Sequence, residues 1–146
     1  VSVRVQRDDF DAGLEIGRLS RERPDVGAVA SFVGLVRGDA GGTAAMTLEH
    51  YPGMTERQLG AIEAEARTRW VLDDVTIIHR FGRLAVGDRI VLVAVAARHR
   101  GDAFAACEFL MDWLKTKAPF WKMEEGPDGP RWVDAKDSDD DRAKRW

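Results

Sequence analysis

Five basic residues stand where one structural pattern gives way to another. Arg37 closes a β-rich run just before a glycine-rich stretch, His99 and Arg100 lie where an apolar run hands over to an amphipathic one, Lys115 falls near the end of that second run, and Lys122 follows the break at Pro119. A helix N-terminus beside Arg and His suits a phosphate or carboxylate, because unpaired backbone N–H groups, the helix dipole and charged side chains all favour an anion. A lysine late in a helix also interacts favourably with the dipole while remaining solvated. Spacing alone leaves both readings open, an anion-handling site or a solvated cationic face.

Several chemistries are excluded. There is no G-x-x-x-x-G-K-[ST] cradle and no G-x-S-x-G elbow, and the glycines at 34, 38, 41 and 42 do not form G-x-G-x-x-G at a strand-to-helix turn. His50, His79 and His99 lack metal-helix spacing, and the single cysteine, Cys107, can form neither an intrachain disulfide nor a multi-cysteine zinc site. No metal and no cofactor are expected. Cys107 falls on an apolar helical stripe and reads as a core thiol. Trp113, Trp121, Trp132 and Trp146 crowd the C-terminal third and read as core and subunit-interface packing. The net charge of −3 argues against a non-specific nucleic-acid binder.

These residues need a scaffold, and 146 residues with 45% hydrophobic and 32% charged content are enough to build one globular domain, residues 1–146. The longest apolar run, residues 90–97, is too short to span a bilayer, and the start, V-S-V-R-V-Q, alternates like a strand and lacks a signal peptide's apolar region. A cytoplasmic protein is expected.

Asp8 or Asp9 would cap a first helix carrying Phe10, Leu14 and Leu19 and ended by Pro24. Residues 26–36 read as a strand, 38–42 as a mobile loop, and 46–51 as a second strand. Thr55 and Gln58 match a capping box ahead of the stripe Leu59, Ile62, Ala66 and Trp70. Strands at 75–81 and 89–98 would form a hairpin through Val86-Gly87-Asp88. A third helix at 102–117 carries Phe104, Cys107, Met111 and Leu114 on one stripe. Short strands, F-W-K-M-E and R-W-V-D-A, flank G-P-D-G-P, and the acidic stretch at 137–142 follows as a tail. Paired strands between helices predict an α+β domain, with antiparallel-rich mixed sheets and three main helices.

Six strings appear in order along nearly the whole chain: F-V-G-L-V-R at 32–37, L-E-H-Y-P-G-M at 48–54, H-R-F-G-R-L at 79–84, H-R at 99–100, M-D-W-L-K-T-K-A-P-F-W-K at 111–122 and R-W-V-D-A at 131–135. Together they resemble the large, catalytic subunit of molybdopterin synthase. The resemblance implies an α/β-hammerhead fold and a sulfur transferase of molybdenum-cofactor biosynthesis, converting cyclic pyranopterin monophosphate to molybdopterin. It further implies a partner, a small ubiquitin-like sulfur carrier whose C-terminal glycine bears a thiocarboxylate, and a homodimer at the centre of a heterotetramer.

Position by position, the resemblance implies a substrate pocket of Leu35, Val36, Arg37, His99, Arg100, Lys115, Lys122, Met123 and Glu124, with Lys115 and Lys122 catalytic. Cationic residues suit a phosphorylated pterin and an anionic donor tail, and a lysine crowded by other cations has its pKa drawn toward a range useful for proton transfer. Because the carrier brings the sulfur, no cysteine nucleophile is needed. Residues 136–146 would form a tail reaching toward the pocket, where Lys136 stands in place of the family's Arg and lacks its bidentate fork. The competing reading is a non-catalytic module that holds a phosphorylated ligand or partner tail.

Overall fold

A computed structural model describes residues 2–38, 42–133 and 137–146. The elements run β1 (Val3–Gln6), α1 (Ala12–Arg18), β2 (Ala28–Leu35), β3 (Ala45–His50), α2 (Met54–Arg69), β4 (Leu72–Arg80), β5 (Gly82–Ala85), β6 (Arg89–Ala97), α3 (Arg100–Thr116), β7 (Phe120–Gly126), β8 (Gly129–Val133) and α4 (Asp137–Ala143). They form an α+β architecture with two four-stranded sheets, ordered β1-β4-β6-β2 and β5-β3-β7-β8. Only the β1–β4 pair is parallel; every other described pair is antiparallel.

The apolar run of β6 is explained by its place between β4 and β2 with both faces covered. On one face Val91, Val93, Val95 and Ala97 pack with Leu59, Ile62 and Ala66 of α2 and Ala106, Cys107, Leu110 and Leu114 of α3. On the other, Leu92, Ala94 and Ala96 meet Ile78, Phe10 and Leu19 beside α1. A smaller cluster, Val36, Met46, Leu48 and Leu84, seats the second sheet.

Several boundaries differ from the sequence expectation, each for a local reason. Asp11, not Asp8 or Asp9, caps α1 by accepting from the Leu14 N–H, and Asp9 is instead held in a two-bonded ion pair with Arg89. Phe10 and Leu19 flank the helix as buried anchors, Leu14 is exposed, and α1 ends well before Pro24. Helix α2 begins earlier than the Thr55–Gln58 pattern suggests. Gly53 takes the N-cap position with φ 84°, a conformation open to glycine, and its N–H donates to Glu56 at 2.6 Å. Buried Thr55 turns its hydroxyl back to the Tyr51 carbonyl.

β4 and β6 pair as expected, yet their connection leaves the sheet: β5 joins the second sheet against β3 before the turn at Gly87, φ 91°, returns the chain to β6. There are four helices among the described residues rather than three, because the acidic stretch is helical in α4. Ion pairs from Arg142 and Arg145 to Glu108 tie that region to α3. Residues 39–41 of the glycine-rich stretch, the end of the R-W-V-D-A string and Lys136 lie outside the described residues.

Candidate functional site

Lys115 lies in the last turn of α3, and Lys122 is the third residue of β7. The chain between them turns at Pro119, and Phe120 opens the new strand. At this corner the His79 ring of β4 stacks on Phe120, with centroids 3.8 Å apart and planes 16° apart. His79 is buried, and its Nδ1 lies 2.8 Å from the Arg80 carbonyl oxygen. Since a carbonyl only accepts, Nδ1 carries the proton and donates it. Burial, then the charges of Lys115 and His50, push the His79 pKa down to about 4. The imidazole beside Lys115 is therefore neutral near pH 7.

Register places the rest. On the β3–β7 ladder His50 is opposite Phe120, Leu48 opposite Lys122 and Met46 opposite Glu124. These residues share one strand face. Leu48 also belongs to the small core that buries Val36, so the Leu35-Val36-Arg37 segment is anchored beside the strand carrying Lys122. Val36 is fixed by its own backbone, donating to Asp88 and accepting from Gly87, while Leu35 and Arg37 remain exposed. Met123 points to the opposite face, paired with Thr47 and Trp132, and Glu124 meets Arg131 at 3.7 Å. Lys115 also borders a groove of about 570 Å³ between β2 and α3, with Phe32, Phe104, Met111, Asp139 and Arg142 along it.

Two predicted residues are not brought to this corner. His99 occupies the N-cap position at the other end of α3, without a side-chain capping bond, and Arg100 opens the helix, both exposed. With Lys115 in the last turn, about 22 Å of helix separates them from it. Phe104, expected on the buried stripe with Cys107, Met111 and Leu114, is 65% exposed at the groove. Cys107 is buried, and its pKa is pushed up to about 11 by desolvation and then by Glu108, which makes the thiolate unavailable near neutrality. No cluster of three or more metal-ligating side chains occurs among the described residues.

Sequence reasoning passed over His79, His50 and Phe120. The usable signal was the placement of His79 on the inward face of an apolar strand, alternating with Val75 and Ile77.

This architecture is that of molybdopterin synthase catalytic subunits. Their curated example from Ralstonia nicotianae is 56% identical over 147 residues, spanning 99% of this chain and 84% of that protein. The family model "MoaE protein" matches residues 5–117, and the chain belongs to the MoaE family. The solved molybdopterin biosynthesis MoaE protein from Burkholderia ambifaria superposes with a TM-score of 0.86 at 57% identity, covering 100% of this chain and 97% of that one. A chain from the protein–protein complex of subunits 1 and 2 of molybdopterin-converting factor from Helicobacter pylori shares the fold, with a TM-score of 0.77 at 18% identity over 91% of this chain and 90% of that one.

Proposed function

We propose that this protein is the catalytic subunit of a molybdopterin synthase, a sulfurtransferase that converts cyclic pyranopterin monophosphate to molybdopterin with sulfur from the C-terminal thiocarboxylate of a small ubiquitin-like carrier. The observation that carries the residue roles is the corner at His79, where the last turn of α3 and the first residues of β7 meet. Lys115 holds and activates the donor terminus. Lys122 moves a proton as sulfur replaces oxygen on the pterin side chain, a task suited to an ammonium group. Arg37 supplies phosphate-directed charge, Leu35 and Glu124 frame the pocket, and Val36 in the small core and Met123 on the opposite face of β7 support it from behind.

His99 and Arg100 belong to the same substrate set through a second copy of the chain. About 22 Å of helix exceeds the span of a pterin monophosphate, so one protomer cannot use both ends of α3 on one molecule. A homodimer joins the α3 start of one copy to the lysine corner of the other. Carriers bound at the two ends complete a heterotetramer. The chain works as one catalytic domain, with the C-terminal tail at the pocket's edge, a place supported by Asp139 and Arg142 beside the Lys115 groove. Its similarity to molybdopterin synthase catalytic subunits, enzymes of cofactor biosynthesis, favours the cytoplasm.

The test is direct. The purified chain, given thiocarboxylated carrier and the pterin precursor, should yield the dithiolene product by mass spectrometry, and a carrier lacking its last two residues should yield none. Precursor retained unchanged, with carrier bound, would favour the non-catalytic module instead.

A further inference from the structure

His79 holds an unusual place between the two sheets. It is the next-to-last residue of β4 in the first sheet, yet its ring lies flat on Phe120, which opens β7 in the second. A stack at 3.8 Å with nearly parallel planes constrains the partner ring in both tilt and height. Nδ1 donates to the Arg80 carbonyl at 2.8 Å, so the imidazole cannot rotate without losing a buried hydrogen bond.

A second histidine also contacts Phe120. His50, its cross-strand partner, lies 5.9 Å away by ring centroid and 4.5 Å from Phe81. His50 Nδ1 is 3.0 Å from the Thr55 hydroxyl, whose own proton goes to the Tyr51 carbonyl at 2.8 Å. The Thr55 oxygen must therefore accept, and His50 Nδ1 donates. Two histidines with assigned tautomers thus contact one phenylalanine, two residues before Lys122 on the same strand face and just past the helix end bearing Lys115. The charged and titratable groups acting on His79 are Lys115 and His50.

We infer that His79 is a positioning residue for the lysine pair: its ring plane, fixed through Nδ1 to the Arg80 carbonyl, seats Phe120 and thereby sets Lys122 against the Lys115 end of α3. The inference rests on the reading of Lys115 and Lys122 as the sulfur-transfer pair. A histidine that merely filled the core would affect stability and leave turnover of the folded protein alone. A positioning histidine affects kcat, because small displacements of a reacting group cost large factors in rate.

The variants are His79→Asn, which keeps a donor amide but loses the ring, and His79→Phe, which keeps a flat ring against Phe120. With thiocarboxylated carrier and precursor, His79→Asn should lose about 10- to 100-fold in kcat with KM within about threefold, and His79→Phe should recover to within about threefold of the parent. Hydrogen exchange at the β7 amides should quicken in His79→Asn and stay near parental in His79→Phe. Where His79→Asn does not fold, Phe120→Leu removes the stack from its other side and should give the same kcat loss.

Parental kcat in folded His79→Asn would overturn the inference. So would equal losses in both variants, which would make the imidazole a chemical participant. Full activity of Lys122→Ala would remove the catalytic reading instead, and the exchange at β7 would still decide whether His79 sets that strand.

Discussion

The indole Nε1–H of Trp146 donates to the buried carboxylate of Asp112 at 2.6 Å, joining residues 34 positions apart in the sequence. Arg145 adds a second bond to the same carboxylate at 3.0 Å, and Arg69 grips the Trp146 carbonyl oxygen at 2.8 Å. The indole stands edge-on to Trp70 and Phe109. Trp146→Ala removes both the packing and a charge-directed hydrogen bond, and should cost about 2–4 kcal/mol in urea unfolding. Asp112→Asn, which keeps an oxygen acceptor for the indole, should cost less.

The neutral His79 makes stability pH-dependent with a defined sign. Its pKa falls from 6.5 to about 4 on folding, so between those values the unfolded chain binds the extra proton. Stability is complete above about pH 6.5 and declines as pH falls toward 4, by about 3 kcal/mol from this residue. His79→Phe should flatten that part of the stability profile. A slope that persists unchanged would place the titration elsewhere.

Cys107 should resist alkylation in the native protein at pH 8, since burial holds its pKa near 11, and should react freely in urea. Cys107→Ser should retain sulfur transfer while losing about 1–3 kcal/mol of stability, the cost of a hydroxyl in an apolar wall. Folded but inactive Cys107→Ser would point to a protein-bound persulfide.

Lys122→Ala should depress turnover about 10²- to 10⁴-fold with carrier association nearly intact. Lys115→Ala should also weaken capture of the carrier tail. Arginine at either position keeps the charge but cannot release a proton near neutral pH. Parental single-turnover rates in both arginine variants would leave only anion holding.

The separation along α3 predicts complementation. Arg100→Ala and Lys122→Ala homodimers should each be impaired, and mixing them under exchange conditions should restore activity at those mixed-dimer sites that inherit both intact residues. No recovery, with exchange verified by mass, would mean that each protomer supplies its own site.

Much of the scaffold was legible because it repeats. The stripe Leu59, Ile62 and Ala66 located α2, and the run at 90–97 located the strand buried on both faces. β5 escaped because its two inward residues, Gly82 and Leu84, are too few for a period to show. α4 has almost no apolar pattern and is tied down by distant partners such as Glu108. Phe104 fits the helical period of Cys107 and Met111, but it opens onto the groove between β2 and α3 instead of entering the core. At the site, basic residues at element ends were visible in sequence. The length of α3 parts them, and only the corner between two sheets reveals His79.

The parallel pairing of Val3 with Ile77 has a consequence for synthesis. While the ribosome is making the intervening segment, the first strand has no edge to join, because β4 does not yet exist. β6 and β2, which complete that sheet, are settled only after residue 97 has emerged. Contacts this distant in sequence slow folding and leave unpaired strand edges exposed for longer. The N-terminal strand should therefore be among the last pieces to gain protection in a pulse-labelled nascent chain, and its alternating Arg4 and Gln6 keep it soluble while it waits.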